Sequence, residues 1–299
     1  MFALALMIIS SIVGAGFATG AELITFFGDS TLPPIVISIM VGVFLFLFMI
    51  VMIYGQKRKP PDWLVKAISF IFFVAMIAGI TELSGPIIAA IAIIVCIIII
   101  WLGFEKALFI NKYCMGFTLV VLLLISFAYS GGTLARSNLP PNYINTAFMA
   151  LLYAAMNCFM LFAVFRSALK KNTRSHVLAA AAIASLLISF FILIIFTAIR
   201  SHNISEIMPV LALNDSVFTW LAILLSIFTS MYVAMLNLTS TSTKCPVSIK
   251  LIASCIVAYA LSFLGFKRII GMFYPIVGFA MVIYVLTICF LSLKNYLRR

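Results

Sequence analysis

Three glycines fall within seven residues of one apolar run: Gly14, Gly16 and Gly20 in Ser10-Ser11-Ile12-Val13-Gly14-Ala15-Gly16-Phe17-Ala18-Thr19-Gly20-Ala21-Glu22. Each glycine inside a helix costs about 1 kcal/mol relative to alanine. A bilayer offers no water to freed backbone groups, so a helix opened there must be buried in protein or line a cavity. Freed carbonyls can hold a cation, and the N–H groups of the resumed helix can hold an anion. The expectation is a broken first span that forms half of a substrate and ion site. The same small residues would also let a neighbouring helix pack closely without any break. Glycine spacing alone leaves both readings open.

A second group of polar residues lies far along the chain. Ser226, Thr229 and Ser230 follow one another at i, i+3 and i+4, one helix face. Hydroxyls beside backbone carbonyls make a hard oxygen cage of the kind that suits Na⁺. The alternative is that each hydroxyl bonds back to a carbonyl of its own helix. Glu22 is a carboxylate on the outer half of the first apolar run, where it serves as a proton, cation or gate group or else as an interfacial carboxylate in water. Glu82 nears the outer end of the third run. Asn157, within Tyr153-Ala154-Ala155-Met156-Asn157-Cys158, can bond freed backbone groups, a ligand or another helix.

Other chemistries are not expected. The six cysteines show no metal-ligand spacing, and the two histidines, His176 and His202, lie far apart. No serine–lysine pair, histidine cluster or aspartyl pair sits at membrane depth, so no enzyme activity is expected. No transition metal and no organic cofactor is implied; Na⁺ is the one ion that the oxygen ligands would suit.

The elements that position these residues follow from composition. With 66% hydrophobic and 9% charged residues, a soluble fold of 299 residues could not hide its apolar surface. The sequence reads as an all-α polytopic membrane protein in one transmembrane domain over 1–299, with no cleavable leader. A span takes about 20 residues. Ten runs qualify, at about 1–27, 33–55, 63–83, 86–104, 107–129, 144–168, 175–199, 215–237, 247–265 and 270–293. Turn residues punctuate them: Pro33-Pro34, Pro60-Pro61, Gly85-Pro86, Gly131-Gly132, Pro140-Pro141 and Pro246. The connection from Ser201 to Asn214 is apolar enough to form a short helix over the outer mouth of a pathway. Within it, Asn203-Ile204-Ser205 fits the glycosylation pattern.

Basic residues set the orientation. With the N-terminus inside, the inner loops hold Lys57, Arg58, Lys59, Lys66, Lys106, Lys112, Arg166, Lys170, Lys171, Arg174, Lys244, Lys250, Lys294, Arg298 and Arg299. Only Arg136, Arg200, Lys267 and Arg268 fall outside. The net charge of +12 is therefore a topology signal rather than a sign of nucleic acid. Five spans, a glycine- and proline-bearing loop and five more spans suggest repeats of about 1–130 and 142–294. An odd count per half inverts the second against the first, as in many secondary transporters.

The segment Val13 to Glu22, with Phe26-Phe27 after it, resembles the first-span signature of the YkvI-like bacterial membrane proteins, whose usual form reads V-G-A-G-F-A-S-G-Q-E. Met76-Ile77-Ala78-Gly79 is similar to that family's third-span pattern. The family looks related to the amino acid–polyamine–organocation transporters of LeuT fold, and the resemblance implies a 5+5 inverted repeat with spans one and six discontinuous. It implies an ion site of the Ser10, Val13 and Ser226 carbonyls with the Thr229 and Ser230 hydroxyls, and a substrate site of Gly14, Ala15, Gly16, Phe17, Thr19, Gly79, Tyr153 and Asn157. The sixth span departs from the pattern by lacking glycines.

The function these readings imply is secondary transport, coupled to Na⁺ or H⁺, of a small amino acid or related amine. The setting would be the bacterial inner membrane, with both termini cytoplasmic. The partners would be a small-molecule substrate and the lipid bilayer, with no nucleic acid; the sequence sets no oligomeric state. The rival is a ligand-sensing receptor subunit that keeps a transporter fold without transport.

Overall fold

The computed structural model describes residues 2–55, 61–102, 104–131, 142–202, 206–239 and 249–297. Lys57, Arg58, Lys59, Pro60, Gly132, Arg136, Pro140, Pro141, Asn203-Ile204-Ser205, Lys244, Cys245, Pro246, Arg298 and Arg299 lie outside the described residues. Among the described residues every element is a helix.

The first apolar run is three helices, α1 (Phe2–Ile12), α2 (Ala15–Ala18) and α3 (Ala21–Phe27). There follow α4 (Pro34–Tyr54), α5 (Asp62–Ser84), α6 (Pro86–Leu102), α7 (Phe104–Tyr129), α8 (Tyr143–Phe159) and α9 (Phe162–Lys171). The remainder are α10 (Arg174–Ser201), α11 (Pro209–Leu213), α12 (Val217–Thr239), α13 (Ile249–Ser262) and α14 (Phe266–Leu297). Among the described residues six helices are long and apolar enough to cross a membrane: α4, α5, α10, α12, and the stretches Phe109–Tyr129 of α7 and Phe266–Phe290 of α14. Helices α1, α6 and α13 are apolar but shorter, while α8 and the following Val164–Lys171 form a pair bent by 52°.

Surface chemistry agrees with a multi-pass membrane protein. Ile35, Ile39, Val43 and Leu47 of α4 recur every four residues and are all exposed. Ile87, Ile91, Ile94 and Ile98 on α6, and Met272, Ile276, Ile283 and Phe290 on α14, are exposed too. Apolar stripes of this length face lipid rather than water. Polar side chains are gathered inside instead: Ser10, Thr19, Glu22, Asn111, Asn157, Ser226, Thr229 and Ser230 are all buried.

Residues 5–20 are buried without exception, so this middle part of the first apolar run is enclosed by other helices and not by lipid. It packs on α7, α10 and α12 through α1, on α5 and α12 through α2, and on α8 and α14 through α3. The outer helices pair as α4 on α10, α5 on α12, α4 on α8, α8 on α14, α7 on α12 and α5 on α13.

Candidate functional site

The site begins where α1 stops. Val13 N–H still reaches the Ile9 carbonyl at 2.7 Å, but Gly14 N–H turns to the Ile12 carbonyl at 2.9 Å. The Ser10 carbonyl thereby loses the partner a continuing helix would supply. Gly14 is extended, with φ −98° and ψ −158°, before α2 resumes. A second break follows four residues on. Gly20 takes φ 80° and ψ −2°, the left-handed region that glycine occupies without steric cost. Thr19 closes α2 by donating its hydroxyl to the Ala15 carbonyl at 2.6 Å and the Gly16 carbonyl at 3.3 Å.

The freed carbonyls of α1 are met by α12. Ser226 Oγ donates to the Val13 carbonyl at 2.6 Å. Ser230 Oγ donates to the Ser10 carbonyl at 2.6 Å and lies 3.1 Å from that of Val13. All these residues are buried. Thr229 behaves differently: its hydroxyl returns to the Ser226 carbonyl of its own helix at 2.9 Å, the intrahelical bond open to any threonine in a span. The oxygen cluster thus holds Ser10, Val13, Ser226 and Ser230 on both sides of one contact, with Thr229 beside it. Ser226 enters through its side chain rather than its carbonyl, as the resemblance had it.

Two further contacts of this cluster, one from Asn111 and one from Met76 of the third-span motif, are not evident from the sequence. Asn111 of α7 donates Nδ2 to Ser10 Oγ at 2.9 Å, and its Oδ1 is buried without a partner. Beside Lys112 it reads as a helix end facing water; only its position one helix away from Ser10 reveals its role. Met76 of α5 accepts the Ala15 N–H on its Sδ at 3.3 Å. An N–H of the second half-helix, where the resemblance places substrate, therefore has a thioether partner here. Gly79, one turn on from Met76 (i+3), lets α5 reach α2: a Cβ there would come within 2.8 Å of the Ala15 Cβ.

The second polar group lies on the other side of α2. Glu22, in the first turn of α3, folds its side chain back against Gly16, where an added Cβ would fall 2.3 Å from Oε1. The carboxyl is buried, and Oε2 has no hydrogen-bond partner. Glu22 is therefore an interior carboxyl and not an interfacial one. Tyr153 of α8 stands beside it, and its ring packs edge-on against Phe26 at 5.3 Å and Phe27 at 5.6 Å. Asn157 donates Nδ2 to the Tyr153 carbonyl at 3.1 Å, one turn back in α8. The helix runs unbroken past Asn157 and turns only at Met160 and Leu161. An asparagine that finds its i−4 carbonyl has no need of an opened backbone, and no glycine loosens this turn. Phe17 is fully buried between the two groups in sequence.

The loop from Ser201 to Asn214 does contain a short helix, α11. It sits on the second break: Val210 N–H donates to the Thr19 carbonyl at 2.9 Å, and Pro209, Val210 and Ile199 surround Gly20. Among the described residues no group of three or more His, Cys, Asp or Glu side chains could hold a metal. No protein-family model matches the sequence, and no curated protein matches it.

Proposed function

We propose that this chain is a secondary transporter, coupled to Na⁺ or H⁺, that moves a small amino acid or related amine by alternating access. The observation that carries the reading is the enclosed break in the first apolar run, with α12 hydroxyls on its freed carbonyls. Peptide dipoles opened inside the protein give a neutral site where ions and substrates bind without a permanent buried charge. A small cation at the Ser10 and Val13 carbonyls would tie α1 to α12 with hydroxyl oxygens turned toward it. Its release would leave the direct hydroxyl-to-carbonyl bonds, so the contact has two chemically reasonable states.

Helix pairing supports the LeuT-like 5+5 arrangement as well. Counting α1–α3 as span one and α8–α9 as span six, several helix pairs have a counterpart five spans on. α1 on α7 answers α8 on α14, α1 on α10 answers α4 on α8, α5 on α14 answers α7 on α12, and α6 on α12 answers α5 on α13. The pairs α4–α10 and α5–α12 map onto themselves. In this reading the protein is a YkvI-like member of the bacterial inner membrane with both termini inside.

The test is gradient-driven uptake. Proteoliposomes given an inward Na⁺ or H⁺ gradient should accumulate a labelled amino acid or amine, and dissipating the gradient should release it. Specific binding with no accumulation under either gradient would overturn transport and leave the receptor-subunit reading in its place.

A further inference from the structure

The oxygen cluster on α12 leaves the acid group of the core unexplained. Three polar atoms from three different elements are buried there without hydrogen-bond partners: Glu22 Oε2 on α3, Tyr153 Oη on α8 and Tyr274 Oη on α14. Glu22 is 2% exposed and both tyrosines are fully buried. Tyr153 stands within reach of the Glu22 carboxyl without forming a well-aligned hydrogen bond to it, and Tyr274 lies near both. Burying one such atom is costly; three that converge and remain unpaired are rare in a native interior. The elements that carry them are those that pack on α3, namely α8 and α14, with α2 at the Gly16 side. Among the described residues of those elements, the titratable groups facing Glu22 are the two tyrosines, and Glu22 makes no ion pair there.

The geometry points to a primary ammonium group of the substrate as the partner of Glu22, Tyr153 and Tyr274. This rests on the transport reading above and specifies which end of the substrate this side of the break receives. The Glu22 carboxylate and the two phenol oxygens offer three acceptors for the three N–H donors of an ammonium, and each phenol keeps its own O–H to donate, that of Tyr153 toward the Glu22 carboxyl beside it. The surroundings favour a cation too. Tyr153 is ringed by Phe26 and Phe27, and Tyr274 lies against Phe72 at 5.1 Å. Aromatic rings attract an ammonium while excluding its water. Gly16 fits the same purpose, since its missing side chain is what admits the Glu22 carboxyl beside the break. Tyr274 carries no signal in the sequence beyond preceding Pro275 inside a span. It is the new member of the site.

The ammonium could come from a simple amine or from the amino group of an amino acid, and the experiment separates these. Purified full-length protein in detergent is titrated with ethylammonium, with alanine and with ethanol, and ligand-dependent thermal stabilisation is read. Ethylammonium or alanine should stabilise the wild type, and ethanol should not. Stabilisation by ethylammonium alone names an amine substrate, and by alanine as well names an amino acid. Glu22→Gln should lower apparent affinity for the ammonium ligands by tenfold or more. Tyr153→Phe and Tyr274→Phe should each lower it several-fold, and these two changes keep the ring packing should Glu22→Gln prove unstable. Equal affinity in the wild type and all three variants overturns the proposal, as does stabilisation by neither ammonium ligand. Uptake of an amino acid that survives Glu22→Gln with unchanged apparent affinity would sink this assignment while leaving the transport reading intact. Absence of any gradient-driven uptake alongside intact, Glu22-dependent ammonium binding would do the reverse.

Discussion

Removing the two α12 hydroxyls one at a time and then together should give an unequal and non-additive result. Ser226 reaches only the Val13 carbonyl, at 2.6 Å. Ser230 serves the Ser10 carbonyl at 2.6 Å and stands 3.1 Å from Val13 as well. In Ser226→Ala the Val13 carbonyl keeps Ser230, so the loss should be near the average for an interhelical hydrogen bond in a membrane, about 0.6 kcal/mol. In Ser230→Ala the Ser10 carbonyl has no substitute, because Gly14 N–H is already bonded to Ile12. A buried acceptor left unpaired costs about 1–3 kcal/mol. In the double variant both carbonyls are orphaned, and the loss should reach about 2–6 kcal/mol, more than the two singles combined. The assay is reversible unfolding in mixed detergent followed by tryptophan fluorescence. Trp220 reports directly, since it sits on α12 with Nε1 donating to the Leu83 carbonyl. Equal losses from the two single variants, or strict additivity in the double, would refute the shared-carbonyl geometry.

Other consequences are simpler. Thr229→Ala should cost less than Ser230→Ala in the same assay, since its hydroxyl bonds its own helix; a loss matching that of Ser230→Ala would contradict the arrangement. Gly79→Ala drives a Cβ to 2.8 Å from that of Ala15, and overpacking of this kind should cost about 1–3 kcal/mol. An unchanged midpoint would mean that α5 does not rest on α2. Gly20→Ala places an L-residue at φ 80° and should cost about 1–2 kcal/mol, read as a lowered unfolding midpoint. Replacing Met76 by leucine keeps the volume but removes the acceptor for Ala15 N–H, and about 1 kcal/mol should be lost.

Much of this was legible because the signals are local. Proline and glycine punctuation sets helix ends such as Pro34 and Pro86, and the glycines at 14 and 20 fall where the first helix gives way. Spacing likewise put Ser226 and Ser230 on one face. Spacing could not say which hydroxyls cross to α1 and which turn back, because Ser226, Thr229 and Ser230 are chemically alike and only the approach of α1 separates them. Asn111 and Tyr274 stayed hidden for a related reason, as did the thioether role of Met76 within its recognised motif. Each contributes through a neighbour more than sixty residues away, and nothing next to it in the chain marks that meeting. Asn157 shows another limit: its type left backbone, ligand and interhelical bonding open, and the structure gives it the carbonyl one turn back in its own helix, with the bend of this span falling just beyond it.

The measurement that bears most directly on the account is the accessibility of the break from the two sides of the membrane. Ala18 lies on α2 and is fully buried. An Ala18→Cys variant, with the six native cysteines replaced, is reconstituted and exposed to a membrane-impermeant thiol reagent on one face or the other. Alternating access predicts labelling from both faces, slowed by substrate together with the coupling ion. Labelling from neither face, or from one face only under every ion and substrate condition, would contradict it.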